Sequence, residues 1–171
     1  SCENHSRGPA EPRRIMNGIM SEKRPRVLAI SSGGGHWVQL LRLRPAFEGC
    51  EVSFATVREG YRGDVGGAPF HLIPDSNRWN KLALIRSAAA IFLLVLRIRP
   101  DVVITTGAAP GYFGVRFGKW LGARAVWVDS VANVEELSMS GAKAGTVVDL
   151  WLTQWPHLSR DGGPACFGNV L

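Results

Sequence analysis

The sequence predicts an α/β fold: a Rossmann-like, mostly parallel sheet with helices on both faces. Strand-like and helix-like segments follow the order strand–helix–strand–strand–helix–strand–helix–strand, which is the order that such a sheet requires. Two of the strands run into glycine-rich turns, at residues 33–35 and 107–111. In parallel sheets ligands bind beyond the carboxyl ends of the strands, so we expect one cleft there.

Length and composition indicate one folded domain. The chain has 171 residues, of which 46% are hydrophobic and 20% are charged, as is ordinary for a globular protein. Residues 1–24 are polar, rich in proline and arginine, and without periodicity. They also lack the apolar run of a signal peptide. We therefore predict a disordered extension over 1–24 and a single domain over 25–171.

The net charge of +6 indicates an anionic partner, such as phosphates or an acidic membrane face. The cations are scattered and no zinc-finger or RNP-like motif is present, so we expect no nucleic acid partner. Three cysteines and four histidines stand at spacings that fit neither a disulfide framework nor a metal cluster. We expect no metal and no cofactor.

The first strand, glycine turn and histidine predict the centre of the cleft. An apolar run at 27–30 leads into glycines 33–35, then His36, then a helix pattern over 37–44. Glycines tolerate positive φ and allow a ligand to approach closely, and a helix that begins after such a turn favours an anion. His36 would stand at the mouth of the turn as a proton-transfer group. A plain tight turn with an exposed histidine is the alternative.

The next segments predict a second strand over 51–57, a mobile loop over 58–68 and a short third strand over 69–74. Residues 79–99 then form the longest apolar element, with an uncharged centre at 87–96 and basic flanks. That centre is too short for a bilayer, which needs about 20 residues. We favour a buried crossover helix over one that leans on an anionic membrane.

The second half of the chain repeats the strand–turn–helix pattern. A β-branched strand at 102–106 precedes the second glycine turn, and a helix over 112–121 is closed by Gly122. A further strand covers 125–128. Residues 131–148 read as irregular, with one helical turn at 134–137, and the last strand covers 150–153.

A dinucleotide site is a poor fit to the first turn. The third glycine of the G-x-G-x-x-G fingerprint is missing, and no acid follows the second strand. Arg58 could serve a 2′-phosphate, so an NADP-dependent Rossmann oxidoreductase stays open as an alternative function.

Four motifs together carry a family resemblance. They are Ser-Gly-Gly-Gly-His at 32–36, Arg-Pro-Asp-Val-Val-Ile-Thr-Thr-Gly at 99–107, Asp-Ser at 129–130 with Leu-Ser-Met-Ser-Gly at 137–141, and Asp-Leu-Trp-Leu-Thr-Gln-Trp-Pro-His-Leu at 149–158. On these residues the chain resembles the asparagine-linked glycosylation protein 14-like family. Its members are acceptor-side, membrane-associated subunits of bipartite UDP-sugar glycosyltransferases, with bacterial counterparts in exopolysaccharide and capsule synthesis. The resemblance spans residues 26–171.

The resemblance implies the N-terminal half of a GT-B glycosyltransferase. The donor-binding catalytic subunit would be a separate polypeptide, recruited by this chain. The present subunit would hold a lipid-diphosphate-linked sugar acceptor, with the UDP-sugar at the shared cleft. Eukaryotic relatives carry a transmembrane anchor, which residues 1–25 do not resemble, so we expect peripheral contact at the cytoplasmic face of the membrane. A non-catalytic, membrane-recruiting scaffold is the other alternative.

The resemblance also implies roles for individual residues. His36 would be the catalytic base, or else a donor to a phosphate. The expected phosphate- and acceptor-binding residues are Gly33, Gly34, Gly35, Gly107, Gly111, Asp129 and Ser130. The expected partner interface comprises Gln154 and Trp155. Structural roles are the alternatives: a turn for the glycines at 107 and 111, a helix cap for Asp129, and core packing for Trp155.

Overall fold

The computed structural model describes residues 23–75 and 80–170. These residues form a six-stranded sheet in which every neighbouring pair of strands is parallel. The strands are β1 (Arg26–Ile30), β2 (Glu51–Thr56), β3 (Phe70–Leu72), β4 (Val102–Thr105), β5 (Arg124–Val128) and β6 (Leu150–Leu152). Their order across the sheet is β3-β2-β1-β4-β5-β6. The predicted parallel α/β architecture is confirmed.

Four α-helices connect the described strands. They are α1 (Gly35–Arg42), α2 (Lys81–Ile98), α3 (Ala108–Trp120) and α4 (Met139–Ala144). Apolar residues alternate between the two faces of β1, as they must in a central strand that is covered on both sides. Val27 and Ala29 pack with α1, whereas Leu28 and Ile30 belong to the core that includes α2 and α3.

Helix α3 approaches the sheet closely because its inner face is made of glycines. A Cβ at Gly114 would lie 2.7 Å from Cγ2 of Ile30, and one at Gly118 would lie 2.5 Å from Cγ2 of Val103. Such distances are shorter than carbon atoms tolerate, so a larger residue would force the helix outward. The glycines therefore bring α3 against the two central strands.

Several predicted boundaries shift. The predicted loop over 58–68 contains a 3₁₀ helix, Glu59–Val65, whose Val65 is buried in the α1-side core. Helix α3 begins at Ala108, four residues before the predicted start, because Pro110 falls in its first turn, where no N–H is required. The helical turn predicted at 134–137 is wrong. The helix in that region is α4, which begins after Ser138, whose hydroxyl accepts the Gly141 N–H at 2.8 Å.

Helix α2 is only partly the buried helix that we favoured. Ser87, Ile91 and Val95 form its buried stripe, while Leu82 and Leu93 on the outer side are 79% and 62% exposed. None of the described helices is both long and apolar enough to cross a bilayer. The expectations for residues 1–22, and for Trp79 as the start of this helix, lie outside the described residues.

Candidate functional site

The two glycine turns meet where the strand order of the sheet reverses. Strands β1 and β4 are neighbours, and Ile30 is paired with Thr105 at their carboxyl ends. The chain leaves β1 towards α1 on one face and leaves β4 towards α3 on the other. Such a switch point opens a crevice between the two connections. Both turns therefore lie at the edge of the sheet where we expected the cleft.

His36 is held across this crevice by the second turn. Its Nδ1 lies 2.8 Å from the carbonyl oxygen of Thr106, and the Thr106 hydroxyl donates to the His36 carbonyl oxygen at 2.6 Å. A carbonyl oxygen has no proton to donate, so Nδ1 carries the hydrogen of this bond. In the neutral ring, Nε2 then has the lone pair, and the tautomer is the one suited to accepting a proton.

Gly107 makes room for that ring. A Cβ at this position would lie 2.8 Å from Cε1 of His36, and the residue has φ of 129°, where side chains are strained. Gly111, in contrast, lies buried between α3 and the sheet, where a Cβ would lie 2.0 Å from Oγ1 of Thr105. Gly107 therefore borders the crevice, whereas Gly111 serves helix packing and not the cleft wall that the resemblance implied.

The first glycine turn presents backbone N–H groups at the start of α1. The first helical hydrogen bond runs from the Val38 N–H to the Gly34 carbonyl at 3.2 Å, so the N–H groups of residues 35–37 have no helical partner. The first turn of α1 carries no acidic side chain and no side-chain cap. The N–H of Gly34 is already used, since it donates to Oη of Tyr61 at 3.0 Å.

Arg58 adds a positive charge beside this turn. Its Nε lies 3.0 Å from the place that a Cβ of Gly33 would occupy. The side chain is exposed and forms no hydrogen bond or ion pair with the described residues. It is therefore available to an anion at the turn.

Asp129 faces the interior of the protein. The residue is only 1% exposed. Its carboxylate accepts hydrogen bonds from the Ser138 N–H at 2.9 Å, the Ser138 hydroxyl at 2.6 Å and the Trp127 indole N–H at 3.2 Å. These bonds tie the end of β5 to the start of α4. Asp129 thus shapes the loop before α4. It is not the helix cap of the structural alternative, because Ser138 caps α4, and its carboxylate is occupied by these internal bonds.

Ser130 and Gln154 belong to a second buried network. Nε2 of Gln39, on α1, donates to Oγ of Ser130 at 3.0 Å, and Nε2 of Gln154 donates to Oε1 of Gln39 at 2.7 Å. Gln154 is 3% exposed and also accepts the Val170 N–H at 2.9 Å. Its amide therefore joins α1 to the loops after β5 and β6 and does not reach the surface.

Trp155 is half-buried beside this network. Its indole N–H donates to the carbonyl oxygen of Val131 at 2.8 Å. This bond ties the segment after β6 to the one after β5. Trp155 is partly exposed, whereas Gln154 is buried.

The comparisons with known proteins decide the family. Residues 75–168 match the family "Oligosaccharide biosynthesis protein Alg14 like". The UDP-N-acetylglucosamine transferase subunit ALG14 of Eremothecium gossypii is 31% identical over 166 residues, which cover 78% of this chain and 74% of that protein. The chain belongs to the Alg14-like family.

Solved structures similar to the Alg14-like chain support its fold. Acinetobacter baumannii MurG aligns with a TM-score of 0.68 at 15% identity, over 83% of this chain and 45% of that one. The Streptomyces sp. SF2575 glycosyltransferase SsfS6, complexed with thymidine diphosphate, aligns with a TM-score of 0.52 at 20% identity, over 76% and 48%. The chain spans under half the length of each of these two proteins. The likeness confirms the predicted Rossmann-like fold.

Sequence reasoning missed three residues that organise the site of this Alg14-like chain. The sequence pattern predicts the end of a strand at Thr106, a mobile loop at Tyr61 and one polar position of a helix at Gln39. Only Gln39 had a signal, because it lies beside Trp37 and Leu40 on the face that packs against the sheet. Among the described residues, no group of three or more acidic, histidine or cysteine side chains could hold a metal ion.

Proposed function

We propose that the chain is the acceptor-side subunit of a two-component UDP-sugar glycosyltransferase in polysaccharide or oligosaccharide biosynthesis. It would hold a lipid-diphosphate-linked sugar acceptor and recruit a separate donor-binding subunit. The family supports this role, because the E. gossypii relative is named as a subunit of a UDP-N-acetylglucosamine transferase.

The observation that carries the proposal is the orientation of His36. With Nδ1 bonded to the Thr106 carbonyl oxygen, Nε2 is the nitrogen that can act as a base. In the reaction, the acceptor hydroxyl oxygen forms a bond to the anomeric carbon of the UDP-sugar. The bond from that carbon to the UDP oxygen breaks, and Nε2 takes the hydroxyl proton.

The glycine turn and Arg58 suit the diphosphate of the acceptor. The N–H groups at the start of α1 and the helix dipole favour an anion, and the Arg58 guanidinium lies against Gly33 on the open side of the turn. An arginine fork donates to two phosphate oxygens at once. The acceptor hydroxyl would then be held next to His36.

The donor-binding subunit would face this site across the cleft. The loops after β5 and β6 border the same edge of the sheet, and Gln39 and Gln154 fix them from within. In this proposal Gln154 acts on the interface through the loops that it holds, whereas Trp155 contributes side-chain surface. The UDP-sugar would lie between the two subunits.

The outer side of α2 supports peripheral contact with the cytoplasmic face of a membrane. Four exposed residues share that side, and Trp120 of α3, 75% exposed, lies beside Phe92 of α2 with ring centroids 5.9 Å apart. The four residues are Leu82, Ile85, Leu93 and Leu96. Between Asp75 and Asp129 the sequence has eight Lys and Arg residues but one acid, Asp101. An apolar surface with basic flanks suits anionic lipid.

Vesicle sedimentation tests the membrane part. Leu93→Gln should weaken binding to anionic vesicles, and added salt should weaken it further. Leu150→Gln, which changes an exposed leucine on β6, is the matched control and should bind as the unmodified chain does. Equal binding by both variants, or none by the unmodified chain at low salt, would reject membrane contact through α2.

Reconstitution tests the transferase part. The chain is co-expressed with a candidate donor-binding subunit, and transfer from a panel of UDP-sugars to a lipid-diphosphate acceptor is measured. His36→Ala should lower kcat by at least about a hundredfold, the usual contribution of a general base, without a change in Tm. Near-normal turnover in this variant would instead favour the non-catalytic scaffold.

A further inference from the structure

We propose that Tyr61 is a positioning residue for the glycine turn, acting on the bound diphosphate through Gly34. The inference rests on the proposed function, because it assigns the turn to that ligand. It concerns a residue outside the two glycine motifs, on the segment between β2 and β3.

The turn needs such a support because no side chain covers the outer side of its central glycine. Gly34 is exposed, and no atom lies within 4 Å of the place that its Cβ would occupy. Its φ of 68° and ψ of −137° fall where glycine alone is comfortable. A glycine of this kind has wide conformational freedom. The 3.0 Å hydrogen bond from its N–H to Oη of Tyr61 is therefore a specific restraint on its conformation.

Tyr61 is itself held firmly. Its ring stacks on Trp37, with centroids 5.2 Å apart and planes 12° from parallel. The Trp37 ring is buried and donates its indole N–H to Oδ2 of Asp64 at 2.9 Å. Tyr61 and Asp64 belong to one 3₁₀ helix, which is anchored by the buried side chain of Val65. The phenol oxygen thus stands at a fixed point relative to α1.

Two supports therefore define the geometry of residues 34–36. On one side the Thr106 carbonyl oxygen fixes the His36 ring, and on the other the Tyr61 hydroxyl fixes the Gly34 N–H. Preorganised donors bind an anion without the cost of ordering them at the moment of binding. Loss of the second support should leave His36 in place but loosen the N–H groups that receive the diphosphate.

Tyr61→Phe isolates the hydroxyl. The ring can still stack on Trp37, and water can replace the phenol oxygen at the exposed Gly34 N–H, so Tm should stay unchanged. The acceptor KM of the reconstituted pair should rise by about threefold to tenfold, as expected for one hydrogen bond, with kcat unchanged because the loss is one of binding. Tyr112→Phe is the matched control, since Tyr112 lies on α3 and its hydroxyl bonds to none of the described residues.

An unchanged acceptor KM, or a lower Tm with no separate effect on KM, would overturn the proposal. The isolated chain gives a second measurement that does not depend on transfer. Inorganic pyrophosphate is titrated into each variant, with the amide signals of residues 33–37 followed by NMR. Weaker binding to Tyr61→Phe than to Tyr112→Phe supports the assignment even if the pair transfers no sugar. Equal binding, or none to the unmodified chain, overturns it.

Discussion

The imidazole of His36 occupies the space into which a side chain at Gly107 would project, 2.8 Å from the place of its Cβ. The two residues follow different strands, β1 and β4, and are 71 positions apart in the sequence. The contact therefore depends on the pairing of these strands and on the absence of a side chain at 107. It joins the two glycine turns into one site.

Gly107→Ala should damage both activity and stability. The added methyl group would push the His36 ring away from Thr106, and an alanine with φ of 129° costs about 1–3 kcal/mol in strain. We expect transfer by the reconstituted pair to fall by at least about tenfold, since small misplacements of reacting groups are costly. Steady-state kinetics and thermal unfolding measure the two effects.

Gly122→Ala separates the effect of backbone strain from the effect of displacing the His36 ring. Gly122 also has positive φ, 91°, but no atom lies within 4 Å of its Cβ position. This variant should lose a similar amount of stability and keep full activity. If both alanine variants transferred sugar equally well, the contact between residue 107 and His36 would have no bearing on catalysis.

The local pattern of the sequence was enough to predict the parallel sheet and the edge at which the turns lie. Segments such as 27–30 and 102–106 are mainly apolar and have glycine or proline close to their ends. This pattern predicts buried strands that run parallel to one another. The pattern does not reveal the helix start at Ala108, because the glycines around Pro110 also fit a turn. Proline is equally compatible with the first turn of a helix.

The roles of polar residues were harder to predict because they depend on distant partners. Asp129, Ser130 and Gln154 were expected to meet ligands or a partner, but each side chain is buried in internal hydrogen bonds. The amide of Gln154 donates a hydrogen bond to Gln39, which lies 115 positions earlier in the sequence. No local spacing signals such a contact, whereas the position of His36 at the start of α1 follows from a contiguous strand, turn and helix.

Gln154→Ala should destabilise the fold. The change removes three hydrogen bonds: Oε1 of Gln39 keeps only the Val131 N–H, and the Val170 N–H loses its acceptor. A buried polar group that loses its partner costs about 1–3 kcal/mol. Urea unfolding should therefore show a lower midpoint. Gln39→Ala and the double variant complete a mutant cycle, in which a coupling energy near zero would contradict a shared network.

His71 should make stability depend on pH. Burial, followed by the charges of Arg97 and Arg62, lowers the pKa of His71 below its ordinary value of 6.5. The unfolded chain then binds the proton more readily than the folded one, so stability is complete above pH 6.5 and falls as the pH drops through the lowered pKa. The free energy of unfolding, measured between pH 8 and pH 5, should decline as the pH drops below 6.5.

His71→Gln removes the titrating group and should flatten that decline. A variant with the same pH dependence as the unmodified chain would show that another group is responsible. Arg97→Gln offers a finer check, because the loss of one nearby positive charge should bring the pKa of His71 closer to 6.5 and so make the decline smaller. Both variants keep a polar side chain at the changed position.

Two serines should respond oppositely to the same substitution. The hydroxyl of Ser87 is buried on α2 and has no hydrogen-bond partner among the described residues, whereas that of Ser138 caps α4 and donates to Asp129. Ser87→Ala removes an unsatisfied polar group and improves helix propensity, so it should raise the free energy of unfolding by about 0.5–1 kcal/mol. Ser138→Ala should lower it by about 1–2 kcal/mol. Thermal unfolding compares them directly, and a destabilised Ser87→Ala chain would mean that its hydroxyl has a partner in solution.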